Sequence, residues 1–179
     1  MICSLLAGCM KNAEAVNFAG DIDLGEDGII KKELFEQLSE QDEIASICGK
    51  SGEYGYKWTV AGADIKQPCE LCMAVDIAVN SDGSVTVKLR SGESFGFLPT
   101  LSVTLTDKWE TQSAGVYDAG GNRLCAASVT GSERTVLSFK IADGVFKYVI
   151  RAEAETPAPE SSARLSDGSR TQQDKYKTD

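Results

Sequence analysis

The chain has 179 residues, of which 42% are hydrophobic. This is enough apolar material for one domain with a core, which excludes a chain that is disordered throughout. The 27 acidic against 18 basic residues give a net charge of −9, which disfavours a nucleic-acid partner. The sequence contains no histidine, so Ser-His and Cys-His nucleophile pairs are excluded. We therefore expect no catalytic site, cofactor or metal, although carboxylate, lysine or tyrosine chemistry stays open.

The first nine residues, MICSLLAGC, are mostly apolar and end in small residues, as the end of a secretory signal does. Residues 6–9 resemble the lipobox of bacterial lipoproteins, in which the cysteine is acylated and becomes the new N-terminus. The resemblance implies a truncated signal over residues 1–9, lipidation at Cys9 and a tether over residues 10–21. The protein would then be held at the extracellular face of the cell membrane, or be secreted. A buried strand or helical turn that ends in cysteine is the alternative.

A helix is predicted over residues 29–43. Ile30, Leu34 and Leu38 recur every four residues, and charged side chains fill the positions between them. This period is typical of an amphipathic helix that packs on a larger body through one face.

The acidic stretch before this helix, residues 21–28, has part of the spacing of an EF-hand calcium loop. The twelfth position counted from Asp23 is Leu34, where such a loop needs a bidentate carboxylate. We therefore interpret the stretch as a polar turn that caps the helix, without a metal.

From residue 43 to residue 151 short apolar runs alternate with polar residues, and glycine-containing turns separate them. This pattern is typical of an antiparallel sheet, and we predict an Ig-like β-sandwich with one short N-terminal helix, over residues 22–151. Residues 152–179 have almost no large apolar side chains and are predicted to form a disordered polar tail. The predicted strands are 54–60, 71–79, 85–89, 101–105, 116–118, 124–129, 136–141 and 145–150.

Several phrases occur in an order that resembles a β-sandwich module of secreted and cell-surface proteins in Clostridia-like Gram-positive bacteria. In that module a short helix precedes a strand of the form Trp-Thr-Phe-x-Gly-x-Asp-Ile, which here reads WTVAGADI. The resemblance covers about residues 22–151 and implies a sandwich fold without assigned catalytic residues. The phrases are FEQL at 35–38, YKWTVAGADI at 56–65, MAVDI at 73–77, FGFLP at 95–99, VYDAGGN at 116–122 and VFKYVI at 145–150.

Four cysteines lie in the predicted domain: Cys48, Cys69, Cys72 and Cys125. Cys69 and Cys72 form a Cys-x-x-Cys, which occurs in zinc sites, thioredoxin-like redox pairs and structural disulfides. A zinc site needs a second closely spaced pair, and a redox pair normally begins a helix after a strand; the surrounding sequence offers neither. We therefore expect disulfides or buried free thiols. Residues three apart in one strand point to opposite faces, so Cys69 could pair with Cys72 only through a turn after Pro68.

Tyr54, Tyr56 and Trp58 alternate along one predicted strand, so their rings share a face. Such a row could stack on sugars, but burial alone produces the same pattern, and we expect these rings to belong to the core. Trp109 lies between charged residues in a predicted loop and is the better exposed candidate, although we expect it too to belong to the core. The candidate aromatics for a ligand-facing surface, as the alternative to a core role, are Trp109, Tyr54 and Tyr56.

Four acidic residues could act in pairs as acid and base: Asp64, Asp76, Asp107 and Glu110. Glycosidase chemistry depends on the distance between two carboxylates, which sequence spacing does not give, and a solvated surface explains these residues more simply. We expect a non-catalytic lipoprotein module for binding or structural display at the cell surface, with a glycan or a protein as partner. The alternative function is a carbohydrate-active or thiol-redox extracellular enzyme.

Overall fold

The computed structural model describes residues 21–41 and 44–153. Strands make up 47% of the structure, which confirms the mainly-β class. The elements are β1 (Asp21–Asp23), β2 (Ile29–Ile30), α1 (Lys32–Ser39), β3 (Ile44–Ser51), β4 (Tyr54–Ala61), a 3-10 turn (Gly62–Asp64), β5 (Leu71–Cys72), β6 (Val75–Val79), β7 (Val85–Leu89), β8 (Thr100–Thr104), β9 (Ser113–Tyr117), β10 (Arg123–Thr130), β11 (Val136–Lys140) and β12 (Lys147–Ala152).

Ten of these strands form one continuous sheet, in the order β1-β3-β4-β8-β11-β10-β9-β12-β7-β6. The pair β1–β3 is parallel and the other neighbours in this sheet are antiparallel. The sheet curls into a half-barrel, and β2 and β5 form a second, two-stranded sheet. A sandwich of two separate sheets with Ig-like topology is not confirmed.

The curl brings β3 close to β6. We call the gap between these two strands the seam, and side chains bridge it. Ser51 Oγ accepts a hydrogen bond from the Ile77 backbone N–H at 2.9 Å. The ring of Tyr56 also lies at the seam, folded over Gly49, where a Cβ atom would collide with the phenol. Tyr56 is 5% exposed, so this ring helps to close the core where no backbone ladder does.

The inner face of the half-barrel holds the core, because alternate residues of each strand point inward. Trp58 has no exposed surface, and its indole N–H donates to the Met73 carbonyl at 2.7 Å, which joins β4 to the segment before β6. The ring of Phe95 meets this indole edge-on, with centroids 5.3 Å apart. On the opposite wall Phe139 and Tyr148 lie 5.2 Å apart. Burying each such side chain contributes roughly 1.5–3 kcal/mol.

The helix is shorter than the predicted 29–43. Ile29 and Ile30 pair as strand β2 with Cys72 and Leu71, because two β-branched residues suit a strand as well as a helical period and their backbone groups find partners there. The acidic turn does not cap the helix either, since Lys31 is the N-cap residue without a side-chain bond. Asp27 instead accepts the Ile29 N–H at 3.1 Å, which fixes the turn before β2.

Helix α1 covers one end of the half-barrel, which we call the helix end. Phe35 and Leu38 are buried, and the ring of Phe35 lies edge-on to Phe97 with centroids 5.6 Å apart. The C-terminal turn of α1 packs against Gly62 of the 3-10 turn.

The opposite end carries the turns 52–53, 80–84, 105–112 and 131–135, and we call it the loop end. Strand pairing places them together. Gly55 pairs with Thr104 and Thr104 with Val136, and Ile150 pairs with both Val85 and Val116, which brings the 80–84 turn to the start of β9. Strand β1 runs parallel to β3, so it begins on the side of the helix end and runs toward the loop end.

The ordered structure extends slightly beyond the predicted 22–151, since Glu153 N–H donates to the Ser113 carbonyl at 2.9 Å. The predicted signal, the lipidation site Cys9, most of the tether and residues 154–179 of the predicted tail lie outside the described residues. Within the described ranges, no helix is long and apolar enough to cross a membrane.

The Glu153 side chain links the end of β12 to β9 and β10. Its carboxylate accepts two hydrogen bonds from the Arg123 guanidinium, both at 3.0 Å, and one from the Tyr117 hydroxyl at 2.9 Å. Hydrogen bonding from Arg123, and then from Tyr117, lowers the pKa of Glu153 below its ordinary value of 4.5. A depressed pKa means that this carboxylate stabilises the fold above pH 4.5, and that the stabilisation is lost as the pH falls through the folded-state pKa.

We therefore expect the Glu153→Gln variant to be less stable at pH 7 and to lose less stability on acidification than the wild type. Urea unfolding at pH 7 and pH 3 measures this, with the exposed Glu26→Gln as the control. An equal fall in the free energy of unfolding for wild type and Glu153→Gln between the two pH values would contradict the role of this carboxylate.

Candidate functional site

Residues 105–112 join β8 to β9 at the loop end and carry Trp109. We call this segment the Trp109 loop, and its first half is fixed to Thr135, which is 2% exposed. Leu105 N–H donates to the Thr135 carbonyl at 2.9 Å, and Trp109 N–H donates to Thr135 Oγ1 at 2.6 Å. Thr135 N–H donates in turn to the Asp107 carbonyl at 3.3 Å. The backbone that presents the indole is therefore held in one position.

Thr111 fixes the second half of the Trp109 loop. Its hydroxyl lies 3.0 Å from the carbonyl oxygens of Ser113 and Glu153, and it accepts the Ser113 N–H at 3.2 Å. Because Thr111 reaches the end of β12 in this way, Trp109 is anchored on both sides. An aromatic side chain on such a loop loses little conformational freedom when it meets a ligand.

Trp109 is half-buried and is a lining residue of two clefts. The first has a volume of about 600 Å³ and lies between the Trp109 loop, the 80–84 turn and Arg151; we call it the Arg151 cleft. The second has a volume of about 370 Å³ and lies between the Trp109 loop and Thr130 at the end of β10; we call it the Thr130 cleft. Both volumes fall within the range of small-ligand sites, about 300–1,000 Å³.

The rim of the Arg151 cleft carries charges of both signs, from Lys108, Arg151, Asp82 and Glu110. The guanidinium of Arg151 lies over the ring of Tyr117, 5.2 Å from its centroid, which is a cation–π geometry.

Asp82 is also held at this rim. It accepts the Ser84 hydroxyl at 2.6 Å and the Ser84 N–H at 3.0 Å. These bonds, the hydroxyl first, lower the pKa of Asp82. The rim of the Arg151 cleft therefore offers both hydrogen-bond donors and hydrogen-bond acceptors, and Asp82 and Arg151 are held in place. Its positive and negative charges are equal in number.

The other two candidate aromatics lie apart from these clefts. Tyr56 is buried at the seam, where its ring borders a third cleft of about 430 Å³ with Cys48 and Arg90. Burial raises the pKa of Tyr56, and the Val75 backbone and the Arg90 guanidinium act in the opposite direction. Tyr54 is half-buried at the start of β4. Among the three candidates, Trp109 alone lies between two clefts of the described structure.

In the part of the chain that the structure describes, Cys48, Cys69, Cys72 and Cys125 are free thiols. Cys69 is exposed, and the other three are half-buried. Burial, followed by the charge of Asp21, raises the pKa of Cys48, and burial raises the pKa of Cys125. Cys69 is therefore the most accessible of the four.

We expect Cys69 to react first with an aromatic disulfide reagent at neutral pH. Cys48 and Cys125 should react more slowly, since they are half-buried and a raised pKa lowers the fraction of reactive thiolate. Peptide mass spectrometry after brief labelling measures the order, and labelling in denaturant is the control. A native disulfide between Cys69 and Cys72, or equal labelling of all four, would contradict this expectation, and the disulfide would favour the thiol-redox alternative.

The four candidate acids do not come together in one place. Asp76 forms an ion pair with Arg90 at 2.6 Å, and Asp64 lies in the 3-10 turn at the helix end. Asp107 and Glu110 belong to the Trp109 loop, where the Asp107 backbone carbonyl holds Thr135. Within the described ranges, no group of three or more acidic or cysteine side chains is placed to hold a metal ion.

Comparison of the chain with protein-family models, with curated proteins and with solved structures finds no match. The site is therefore argued from its own geometry. Sequence reasoning missed three residues that build it: Thr135, which anchors the loop, and Arg151 and Asp82, which form the rim of the Arg151 cleft. A buried threonine just before a strand and an arginine at the end of one carry no local signal of this role.

Proposed function

We propose that the chain is a non-catalytic module that binds a ligand, or displays a binding surface, at the extracellular face of the cell membrane. A lipid anchor at Cys9 would hold it there, and the Trp109 loop would meet the partner, a cell-surface glycan or a protein. The observation that carries this proposal is the anchored Trp109 loop, which presents a half-buried indole between two clefts.

The direction of β1 supports display from an N-terminal anchor. Strand β1 begins at Asp21 on the side of the helix end and runs toward the loop end, where Trp109 lies. A chain tethered through its N-terminus thus has the Trp109 loop on the far side of the half-barrel from the start of its first strand. In such an arrangement the two clefts face away from the membrane.

The polar groups around Trp109 support recognition without chemistry. Thr135 and Thr111 hold the loop backbone, Asp82 is bonded to Ser84, and Arg151 lies on the ring of Tyr117. Catalysis by carboxylates needs an acid and a base placed across one substrate bond. Groups engaged in holding a surface in shape suit binding better.

We also propose that the half-barrel is a variant of the Ig-like β-sandwich, and that the chain belongs with the Gram-positive secreted modules that its sequence resembles. Two opposing walls meet in one core, with Trp58 on one wall and Tyr148 on the other, as in a sandwich. The helix that precedes the WTVAGADI strand supports the same grouping.

Expression of the full chain behind a complete signal in a Gram-positive host tests the anchor and the display. We expect an acyl mass on Cys9, recovery in the detergent phase, and biotinylation of Lys108 on intact cells. The Cys9→Ala variant should lose the acyl mass and the membrane association. An unprocessed N-terminus, no acyl mass on Cys9, or a Lys108 that is labelled only after lysis would overturn the proposal. Release of shorter sugars from a tetrasaccharide substrate would favour the carbohydrate-active alternative.

A further inference from the structure

We infer that the two clefts beside Trp109 are adjoining subsites for an uncharged glycan chain of at least two sugar units, which crosses the indole between them. The inference rests on the proposed binding function and adds the class of ligand. Its basis is the position of one aromatic side chain between two separate clefts of the same loop end.

The geometry favours an extended ligand over a compact one. Lys108, Trp109, Glu110 and Thr111 line both the Arg151 cleft and the Thr130 cleft, so a molecule that occupies both must pass over this stretch of the loop. A linear chain of linked rings does this, with one unit in each cleft. A single small molecule would fill one cleft and leave the other to water.

The charges at the rim favour an uncharged ligand. Lys108 and Arg151 are balanced by Asp82 and Glu110, so neither an anionic nor a cationic chain finds a net complement. The overall charge of −9 adds repulsion against an anionic glycan. Hydroxyl groups donate and accept hydrogen bonds at once, and therefore match a rim that offers both kinds of partner.

The indole supplies the apolar part of such a site. A pyranose ring has a face of C–H groups, and a flat aromatic ring covers that face while water leaves both surfaces. Thr135 and Thr111 hold the Trp109 loop before any ligand arrives, so binding orders few groups of the protein. A peptide partner would gain from the same indole, but this rim offers a charged peptide no net charge complement.

Quenching of tryptophan fluorescence by acrylamide tests the inference on the full chain. Trp58 has no exposed surface, so quenching reports mainly on Trp109. The probes are cellotetraose, xylotetraose and chitotetraose, the monosaccharides glucose and N-acetylglucosamine, the anionic tetragalacturonate, and a proline-rich peptide. We expect at least one neutral tetrasaccharide to protect Trp109 at millimolar concentration, and the matching monosaccharide to bind about tenfold or more weakly.

Variants locate the binding. Isothermal titration calorimetry measures binding by the variants, because Trp109→Ala and Trp109→Phe lack the fluorescent reporter. Trp109→Ala should weaken the tetrasaccharide about tenfold or more, and Trp109→Phe less, because a ring remains. Arg151→Gln should weaken binding, whereas Lys147→Gln, on the same strand but outside both clefts, should leave it unchanged. Circular dichroism and the urea midpoint confirm that each variant folds.

Several results would overturn the inference. These are no protection by any neutral tetrasaccharide, equal affinity for monosaccharide and tetrasaccharide, or calorimetric binding that is unchanged in Trp109→Ala. If only tetragalacturonate protects Trp109, the assignment to an uncharged glycan is overturned. If only the peptide protects it, the assignment to any glycan is overturned. In both cases the proposed binding function stays in place.

Discussion

Replacing Trp58 by alanine is expected to lower the free energy of unfolding by about 3–5 kcal/mol, because the substitution leaves a large cavity in the middle of the core. The side chain has no exposed surface and lies edge-on to Phe95. Its N–H also satisfies the Met73 carbonyl, which joins two distant parts of the half-barrel. A domain of this size has about 5–15 kcal/mol in total, so the variant is expected to be close to unfolding.

Urea unfolding followed by circular dichroism measures this change. Trp58→Phe separates the two contributions: it keeps a ring but removes the donor to Met73, and should cost about 1–3 kcal/mol. Trp109→Ala is the matched control, because Trp109 is half-buried and packs only against the edge of the core, and we expect about 1–2 kcal/mol. A loss in Trp109→Ala as large as in Trp58→Ala would contradict the distinction between a fully buried and a half-buried tryptophan.

Replacing Gly62 by alanine is expected to cost about 1–3 kcal/mol and to loosen α1. A Cβ atom at this position would collide with the backbone carbonyl oxygens of Leu38 and Gln41, at the C-terminal turn of the helix. Backbone atoms cannot swing aside as the end of a side chain can, so α1 or the 3-10 turn must shift. The contact of Phe35 with Phe97 would shift with it.

Hydrogen exchange of the α1 amides measures this loosening directly, and urea unfolding gives its cost. Gly92→Ala is the control, since a Cβ atom there meets nothing within 4 Å, and we expect a change within about 0.5 kcal/mol. Unchanged protection of α1 in Gly62→Ala would show that the helix is not held against the 3-10 turn as described.

The elements of the sheet that carry local signals could be predicted from the sequence. Strands β4, β7 and β8 have apolar residues at every second position, and Gly83, with positive φ, lies in the turn of the hairpin that joins β6 to β7. Strand β1 has no such signal, because its three residues include two aspartates and its place depends on pairing with β3. The order of the ten strands depends on pairing across long separations, which periodicity does not encode.

The start of the helix and the candidate site also depend on long-range contacts that local sequence patterns do not encode. Ile29 and Ile30 fit a helical period, but pairing with Leu71 and Cys72 places them in a strand. Trp109 could be placed in a loop because its neighbours are charged, but its position at two clefts could not be predicted. Its anchor Thr135 comes from 26 residues further along the chain, and only the folded sheet brings it there.

The central claim is that the Trp109 loop is the surface that meets the ligand. The measurement that tests it most directly is the nuclear magnetic resonance signal of the two indole N–H groups in the full ¹⁵N-labelled chain. When a neutral tetrasaccharide is added, the account predicts that the Trp109 signal shifts, while the Trp58 signal, bonded to Met73, stays in place. A Trp109 signal that stays in place while backbone signals elsewhere move would contradict the account.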